Sequence, residues 1–193
     1  MGNLAVAGQK VPASFPNQYY GVASTSPITV TAATQQPLTQ SQNIPANEPI
    51  LNSTYEVIFG GTGVWGATQQ LIALTLVVAG TVVVNTVNGI TATVFAANAG
   101  FRFNGRAQII FSAIGVSGSV FGELAYVFAE TANAVGAIPV AAASNSVAVS
   151  DGNSVAVTVD TTSSMSVVVK CGWAGTTGAP TITNRRTVWR KIA

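Results

Sequence analysis

Charge is scarce in this chain, and histidine is absent. Of the 193 residues, eight are Lys or Arg and six are Asp or Glu, a charged fraction of 7%, where soluble domains usually carry about 25%. A Ser-His-Asp triad or a Cys-His pair needs an imidazole to move a proton near neutral pH. Without histidine, both classes of nucleophilic catalysis are excluded.

Cysteine is almost absent as well. Cys171 is the only one, so no disulfide can form within the chain. One cysteine and no histidine cannot supply the three or four nitrogen or sulfur ligands of a zinc site. Cys171 shares one face of a strand-like alternation with Trp173, and packing as a small buried side chain explains it better than a reactive thiol. We expect neither a metal nor a cofactor.

The carboxylates are too few and too scattered to suggest catalysis. Paired-carboxylate hydrolysis needs two acids about 5–10 Å apart. Here Asp151 lies in a turn-like sequence and Asp160 at the end of a strand-like run, positions where a carboxylate accepts hydrogen bonds from backbone amides. The glycine-rich stretch at residues 60–66 lacks the lysine and the following helix of a phosphate-binding loop. The sequence predicts an ordinary loop there and a protein that is not an enzyme.

Segments for export or membrane insertion are not evident. Residues 1–9 lack the basic start and the continuous apolar core of a signal peptide. Residues 71–84 form an apolar stretch of 14 residues that contains Gly80, whereas a membrane-spanning helix needs about 20 residues. We expect synthesis in the cytoplasm without export, no membrane partner, and two buried strands around a turn at Gly80.

What the chain does contain begins with proline. Six of its eight prolines fall within the first 49 residues, and no charge occurs between Lys10 and Glu48. Proline removes amide donors and is excluded from helix interiors and central strands, so residues 1–49 are predicted to form an extended arm. Disordered tails are usually charged and poor in aromatics, whereas this segment carries Phe15, Tyr19 and Tyr20. We expect the arm to lie against another surface; a flexible linker is the alternative.

Residues 50–193 have the pattern of one domain built from strands. Val, Ile, Thr and aromatic residues recur in short runs broken by Gly, Asn, Ser and Pro, and no helical period is sustained. Strands are predicted at residues 55–59, 71–78, 81–87, 91–95, 106–114, 119–128, 165–173 and 181–192. Turns are predicted at Asn88-Gly89 and Asn104-Gly105, and a hairpin around Asp151-Gly152-Asn153. Eight to ten such strands predict an all-β, two-sheet sandwich or jelly roll.

Half of the basic residues lie within seven positions near the C-terminus: Arg185, Arg186, Arg190 and Lys191. One explanation is protection of an edge strand, because cationic side chains deter sheet-to-sheet aggregation. The other is contact of Arg185 and Arg186 with an acidic neighbour or with the carboxylates of a partner subunit. Aromatic residues are not interleaved with the arginines, as a stacking platform for bases requires. We therefore do not expect nucleic acid as a partner.

Several stretches, in this order, resemble a known family. Ile44-Pro45-Ala46-Asn47 ahead of residues 52–59, then Gly60-Gly61-Thr62-Gly63 and residues 71–80, resemble the opening of the TNF-like jelly-roll modules of tailed-bacteriophage virions. The ending, from Asp160-Thr161-Thr162 to Thr181-Ile182-Thr183-Asn184 and Lys191-Ile192, is similar to their last strands. The resemblance covers about residues 40–193. Such modules often have an uncharged segment before the final strand, where this chain has Arg185 and Arg186.

The resemblance implies a virion protein, usually a homotrimer, of the capsid decoration, head fibre, collar, spike or fibre tip type. Together with the uncharged arm, it favours an accessory structural protein anchored to the particle by residues 1–49. Its partners would be its own copies and other virion proteins of the capsid, neck or tail. The alternative is a tail-fibre or spike tip that binds a host receptor or glycan, with Trp65 in the glycine-rich stretch as the candidate platform. The competing interpretation of Trp65 is that it packs down as a lid on the sandwich.

Overall fold

The computed structural model describes residues 26–67, 72–86, 97–131, 146–153, 155–174 and 179–192. Every regular element in these ranges is a strand, and the strands form two antiparallel sheets packed together. This confirms the predicted all-β sandwich. The strands are β1 Ile28–Val30, β2 Gln36–Pro37, β3 Gln42–Ile44, β4 Thr54–Val64, β5 Ile72–Val78, β6 Thr81–Asn85, β7 Gly100–Ala113, β8 Gly118–Thr131, β9 Ser146–Gly152, β10 Val157–Val159, β11 Met165–Trp173 and β12 Thr181–Lys191.

The order of the strands follows from nested pairing. The first sheet has the order β1-β12-β4-β7-β8, with β9 and β10 both on the far edge of β8; the second has the order β2-β11-β5-β6, with β3 beside β2 on β11. Strand β1 pairs with β12, β2 and β3 with β11, β4 with β7, and β5 with β6. Early strands thus pair with late strands, as in an antiparallel ribbon folded over on itself. The further pairs β12–β4 and β11–β5 join these strand pairs into the two sheets.

The core lies between the inner faces of the sheets and is rich in aromatic rings. Residues 165, 167, 169, 171 and 173 of β11 were predicted to share a face, and all five are buried. Trp65 packs against Phe101 and Trp173, with ring centroids 4.8 and 5.4 Å away. Burial raises the pKa of the Cys171 thiol well above its usual range. Cys171 is therefore a core residue, as predicted, and its thiol is unreactive in the folded state.

The described half of the predicted arm belongs to the sandwich. Residues 26–49 contribute β1 to the first sheet and β2 and β3 to the second, and they bury Val30, Leu38 and Ile44 in the core. Only residues 1–25 of the predicted arm lie outside the described ranges. Prolines are compatible with this segment because β2, which contains Pro37, is a short edge strand of two residues. The predicted boundary at residue 49 therefore falls inside the folded domain.

Two predicted breaks at glycine are wrong, because phenylalanine rings cover those glycines inside continuous strands. The stretch Gly60-Gly61-Thr62-Gly63 lies within β4, and Asn104-Gly105 lies within β7. Gly105 is the cross-strand partner of Phe59, and Gly63 is the partner of Phe101. A Cβ atom on either glycine would overlap the opposite phenylalanine ring. The glycines make room for core aromatics and do not turn the chain.

The connections are partly as predicted. Gly80, with φ of +79°, forms the turn between β5 and β6, and β7 and β8 form a long hairpin around Gly115. The predicted hairpin around Asp151-Gly152-Asn153 is wrong, because β9 and β10 do not pair with each other. Both pair with β8, one after the other along the same edge. Residues 88 and 89 lie outside the described ranges.

Candidate functional site

The outer face of the first sheet carries most of the described charges. It is the side turned away from the second sheet, and it consists of every second residue of β4, β7, β8 and β12. In β7, for example, residues 101, 103, 105, 107, 109 and 111 are buried, while Arg102, Asn104, Arg106 and Ile110 are exposed. Along the strands, this face changes from basic at one end of the sandwich to ion-paired in the middle and apolar at the other end.

The middle of the outer face holds an ion-pair network of four residues, Arg190, Glu56, Arg106 and Glu123. Arg190 bonds to one carboxylate oxygen of Glu56. Arg106 lies 3.8 Å from the other oxygen of Glu56 and 3.7 Å from Glu123. The side chain of Glu56 is only 1% exposed although it lies on the outer face, because these arginines cover it and the Gln108 amide donates to it at 3.1 Å. The network joins β12, β4, β7 and β8.

The C-terminal basic residues do not act as one cluster. Arg190 belongs to the ion-pair network, and Lys191 is buried at the end of β12. Its ammonium nitrogen lies 3.6 Å from Glu48 and 5.3 Å from the centre of the Tyr55 ring. The Tyr55 hydroxyl donates to Glu48 at 3.0 Å. Arg190 and Lys191 are thus ion-paired within the domain, whereas Arg185 and Arg186 are exposed and form no ion pair with another described residue.

A β-bulge explains why two consecutive arginines are both exposed. Residues of a regular strand point alternately to opposite faces, but the pairing of β12 with β4 shifts between Asn184 and Arg186. The buried Asn184 side chain holds this bulge: its oxygen accepts from the Gly60 amide at 3.0 Å, and its nitrogen donates to Thr187 at 2.8 Å. A Cβ atom on Gly61 would overlap the Thr183 carbonyl oxygen. Gly61 therefore provides the space that the bulge needs, and Gly60 supplies the amide that Asn184 binds.

Arg185 and Arg186 share their end of the outer face with a third arginine, Arg102. We call these three residues the basic zone. The Arg185 Nε atom donates to the Thr62 hydroxyl at 3.3 Å, and Thr62 is the cross-strand partner of Arg102. Arg186 lies beside Gly60, whose partner on β7 is Asn104. All three arginines are exposed. Arg185 and Arg186 were predicted as contact residues from their adjacency in the sequence. Arg102 was not predicted, because 83 positions separate Arg102 from Arg185 along the chain.

The opposite end of the sandwich exposes five large aliphatic side chains, which we call the apolar end. They are 39–72% exposed: Ile50, Leu51, Ile114, Val116 and Ile192. Backbone hydrogen bonds bring these segments together, because the Asn52 amide donates to Phe111 and the Ile192 amide to Thr54, each at 2.8 Å. A concentration of exposed apolar side chains is typical of a surface that another protein covers.

Shallow depressions of about 480 and 450 Å³ run beside β8 on the outer face. The first contains two carboxylates, those of Glu123 and Asp151. Glu123 is paired with Arg106, and Asp151 accepts a hydrogen bond from the Gly152 amide at 2.9 Å. Both carboxylates are therefore engaged by other groups of the chain. In the described part of the chain, no three His, Cys, Asp or Glu side chains come close enough to hold a metal ion.

Of the other residues singled out from the sequence, one prediction is wrong, one is confirmed and three residues lie outside the described ranges. Trp65 is 1% exposed in the core, so its assignment as a glycan platform is wrong: the aromatic rings that surround it leave no face for a ligand. Phe15, Tyr19 and Tyr20 lie outside the described residues. Asp160 caps the backbone as predicted, since it accepts from the Thr162 amide at 2.9 Å. Its hydrogen bonds from the side chain and backbone of Thr162 and from Ser163 lower the pKa of its carboxyl.

Comparison with known proteins identifies no relative: no protein-family model, curated protein or solved structure matches the chain. The likeness to phage jelly-roll modules therefore depends on the sequence stretches alone. Among the described residues, no helix has the length and apolar character to span a membrane.

Proposed function

We propose that this chain is a non-enzymatic structural protein of a tailed-phage particle. In this proposal it is an accessory capsid decoration, head fibre, or neck or collar protein, built as a homotrimer of jelly-roll domains. Residues 1–25 would anchor it to other virion proteins. The observation that carries the proposal is the apolar end, because a chain with so few charges and five exposed aliphatic side chains at one end is suited to contact with other protein surfaces.

The nested pairing of the strands supports the jelly roll. A jelly roll is an eight-stranded double sheet with two Greek keys, which a folded antiparallel ribbon produces by pairing its first strand with its last, its second with its seventh, and so on. The pairs β1–β12, β3–β11, β4–β7 and β5–β6 follow this order. Strands β8, β9 and β10 extend the first sheet beyond β7 and are additions to this pattern.

The described ionisable groups also favour a structural role. Each of the five carboxylates whose side chains are described has a hydrogen-bond or ion-pair partner within the chain. A general acid or base must be within hydrogen-bond reach of its substrate. These carboxylates instead bind groups of the protein itself, among them arginine, lysine, tyrosine and glutamine side chains and backbone amides. They stabilise the sandwich and its loops.

The oligomeric state tests the proposal. Size-exclusion chromatography with light scattering should give a mass three times the 19.6 kDa of the chain at micromolar concentration. The double variant Ile114→Ser/Val116→Ser should lose the trimer, because it removes apolar surface from the contact. The matched control Val64→Ser/Val155→Ser changes two exposed valines outside the apolar end and should leave the trimer intact. A monomeric parent protein would contradict the proposal.

The fibre-tip alternative has lost the residue on which it depended. Trp65 is in the core, so a glycan platform would have to lie elsewhere on the molecule. Unchanged host adsorption of particles that lack this protein would exclude the alternative. Particles that lose adsorption together with the protein would instead make receptor binding its main role.

A further inference from the structure

Cations without a carboxylate partner are concentrated in the basic zone. Seven basic residues have described side chains, and three of them, Arg106, Arg190 and Lys191, are ion-paired. The other four form no ion pair within the described ranges: Arg102, Lys170, Arg185 and Arg186. Three of these four share the basic zone, where like charges on neighbouring strands destabilise the sheet. A bound anion would remove this repulsion.

The local backbone is specialised to present these arginines. The bulge at Arg185 interrupts the ladder between β12 and β4, and it depends on the buried Asn184 amide and on Gly61, which has no side chain to overlap the Thr183 carbonyl oxygen. Bulges commonly re-aim side chains next to functional sites. The consequence here is that two adjacent guanidinium groups, each with five N–H donors, face the same side of the sheet as Arg102.

The groups around the basic zone are hydroxyls and amides. Thr29, Thr183 and Thr62 lie in one cross-strand row that ends at Arg102, and the Thr29 and Thr183 hydroxyls lie 2.9 Å apart. The exposed Asn104 follows two residues after Arg102 on the same face. Such groups suit a ligand rich in hydroxyls. Among the described residues of this zone there is no exposed aromatic ring for stacking bases. Exposed apolar side chains at its margin are Val64 and Val127, the latter being the cross-strand partner of Asn104.

We infer that the basic zone binds an acidic polysaccharide. Arg102, Arg185 and Arg186 would hold its carboxylate, phosphate or sulfate groups, which arginine binds with paired N–H donors, and the threonine hydroxyls and Asn104 would bond to sugar hydroxyls. The inference does not depend on the proposed structural role or on the trimer, since every group lies on one chain.

Binding to defined polymers tests the inference. The full-length protein should bind polygalacturonate or dextran sulfate in 50 mM salt, and neutral dextran of the same length at least tenfold more weakly. Preference for polygalacturonate would identify a carboxylate ligand, and preference for dextran sulfate a sulfate- or phosphate-like ligand. The variant Arg185→Gln/Arg186→Gln should weaken binding at least tenfold, which corresponds to about 1.4 kcal/mol, and Arg102→Gln should weaken it about threefold or more.

Lys170→Gln is the matched control, because Lys170 is also unpaired in the described structure but lies on β11 of the other sheet. It should keep binding within twofold of the parent protein, and all variants should unfold at the parent temperature within a few degrees. An equal loss in Lys170→Gln would overturn the inference, since binding would then depend only on net charge. Equally tight binding of single-stranded DNA or polyglutamate, or no preference over neutral dextran, would overturn it too.

Discussion

A single buried carboxylate organises the centre of the outer face. Glu56 alternates with the core residues Tyr55 and Val57 and therefore belongs to the outward side of β4. It is nevertheless shielded from water, because Arg190, Arg106 and Gln108 close over it. In a chain with six acidic residues, this one holds three neighbouring strands together. Sequence reasoning did not single out Glu56, because its partners come from two distant segments, β7 and β12.

We predict that Glu56→Ala lowers the free energy of unfolding by about 2 kcal/mol. The substitution removes the carboxylate that Arg190 contacts and leaves Gln108 without the acceptor of its described hydrogen bond. Urea denaturation followed by circular dichroism measures the effect. Glu123→Ala is the control: its side chain is 45% exposed, so its loss should cost about 0.5 kcal/mol or less. Equal effects of the two substitutions would show that the burial of Glu56 contributes nothing.

Asp160 gives a pH-dependent prediction. Its pKa is lowered in the folded state, chiefly by hydrogen bonds from Thr162, so the ionised carboxylate stabilises the fold above the ordinary pKa of 3.8. This contribution is lost as the pH falls from there through the lower folded-state pKa. Asp160→Asn should therefore lower the melting temperature at pH 7 and have a smaller effect at pH 2. An effect that is the same at both pH values would contradict this role.

At the scale of strands, alternation in the sequence is a good guide and glycine a poor one. The positions of β8, β11 and β12 follow from alternating residues, and those of β5 and β6 from a continuous apolar stretch interrupted at Gly80. The glycines of β4 and β7 looked like turn residues because a turn and a covered glycine have the same local sequence. What distinguishes them is the phenylalanine on the neighbouring strand, about 40 positions away. The pairing of β9 and β10 with β8 is likewise invisible locally, since alternation does not specify a partner.

The pairing of Gly105 with Phe59 can be measured. Gly105→Ala should cost about 2–3 kcal/mol, because the new methyl group displaces the Phe59 ring from the core. In the double variant Gly105→Ala/Phe59→Leu the smaller side chain relieves the overlap, so its cost should be less than the sum of the two single costs by 0.5 kcal/mol or more. Additive costs in denaturant unfolding would mean that Phe59 and Gly105 do not compete for the same space.

At the scale of the whole molecule, composition did not give the arrangement of the surface. That scarce charge excludes a catalytic role and favours a covered surface stays a prediction. The division of the outer face into basic, ion-paired and apolar regions depends on strand order, which places Thr62 between Arg102 and Arg185 and joins Asn52 to Phe111 near the apolar end. The length of the extended arm was overestimated because its second half forms short strands. Short edge strands such as β2 tolerate proline and have too few residues to show a clear alternation in the sequence.

Two truncations distinguish the proposed anchoring role of residues 1–25 from the contribution of residues 26–40 to the stability of the domain. A protein that lacks residues 1–25 keeps every described strand and should unfold within a few degrees of the parent protein, but it should no longer attach to particles. A protein that lacks residues 1–40 also loses β1, β2, Val30 and Leu38, and should be destabilised by more than about 3 kcal/mol. Thermal unfolding and co-sedimentation with particles measure the two effects. Full attachment of the shorter truncation would contradict anchoring by residues 1–25.

The nested pairing has a consequence for synthesis on the ribosome. Thr29 of β1 bonds to Thr183 of β12, 154 positions later, and β2 and β3 also wait for a strand near the end of the chain. At 5–20 residues per second, translation of that interval takes about 8–30 s. During this time the first strands have no partner, and the apolar strands β4 and β5 lack the neighbours that later cover them. The two sheets can therefore be completed only after β11 and β12 have left the ribosome.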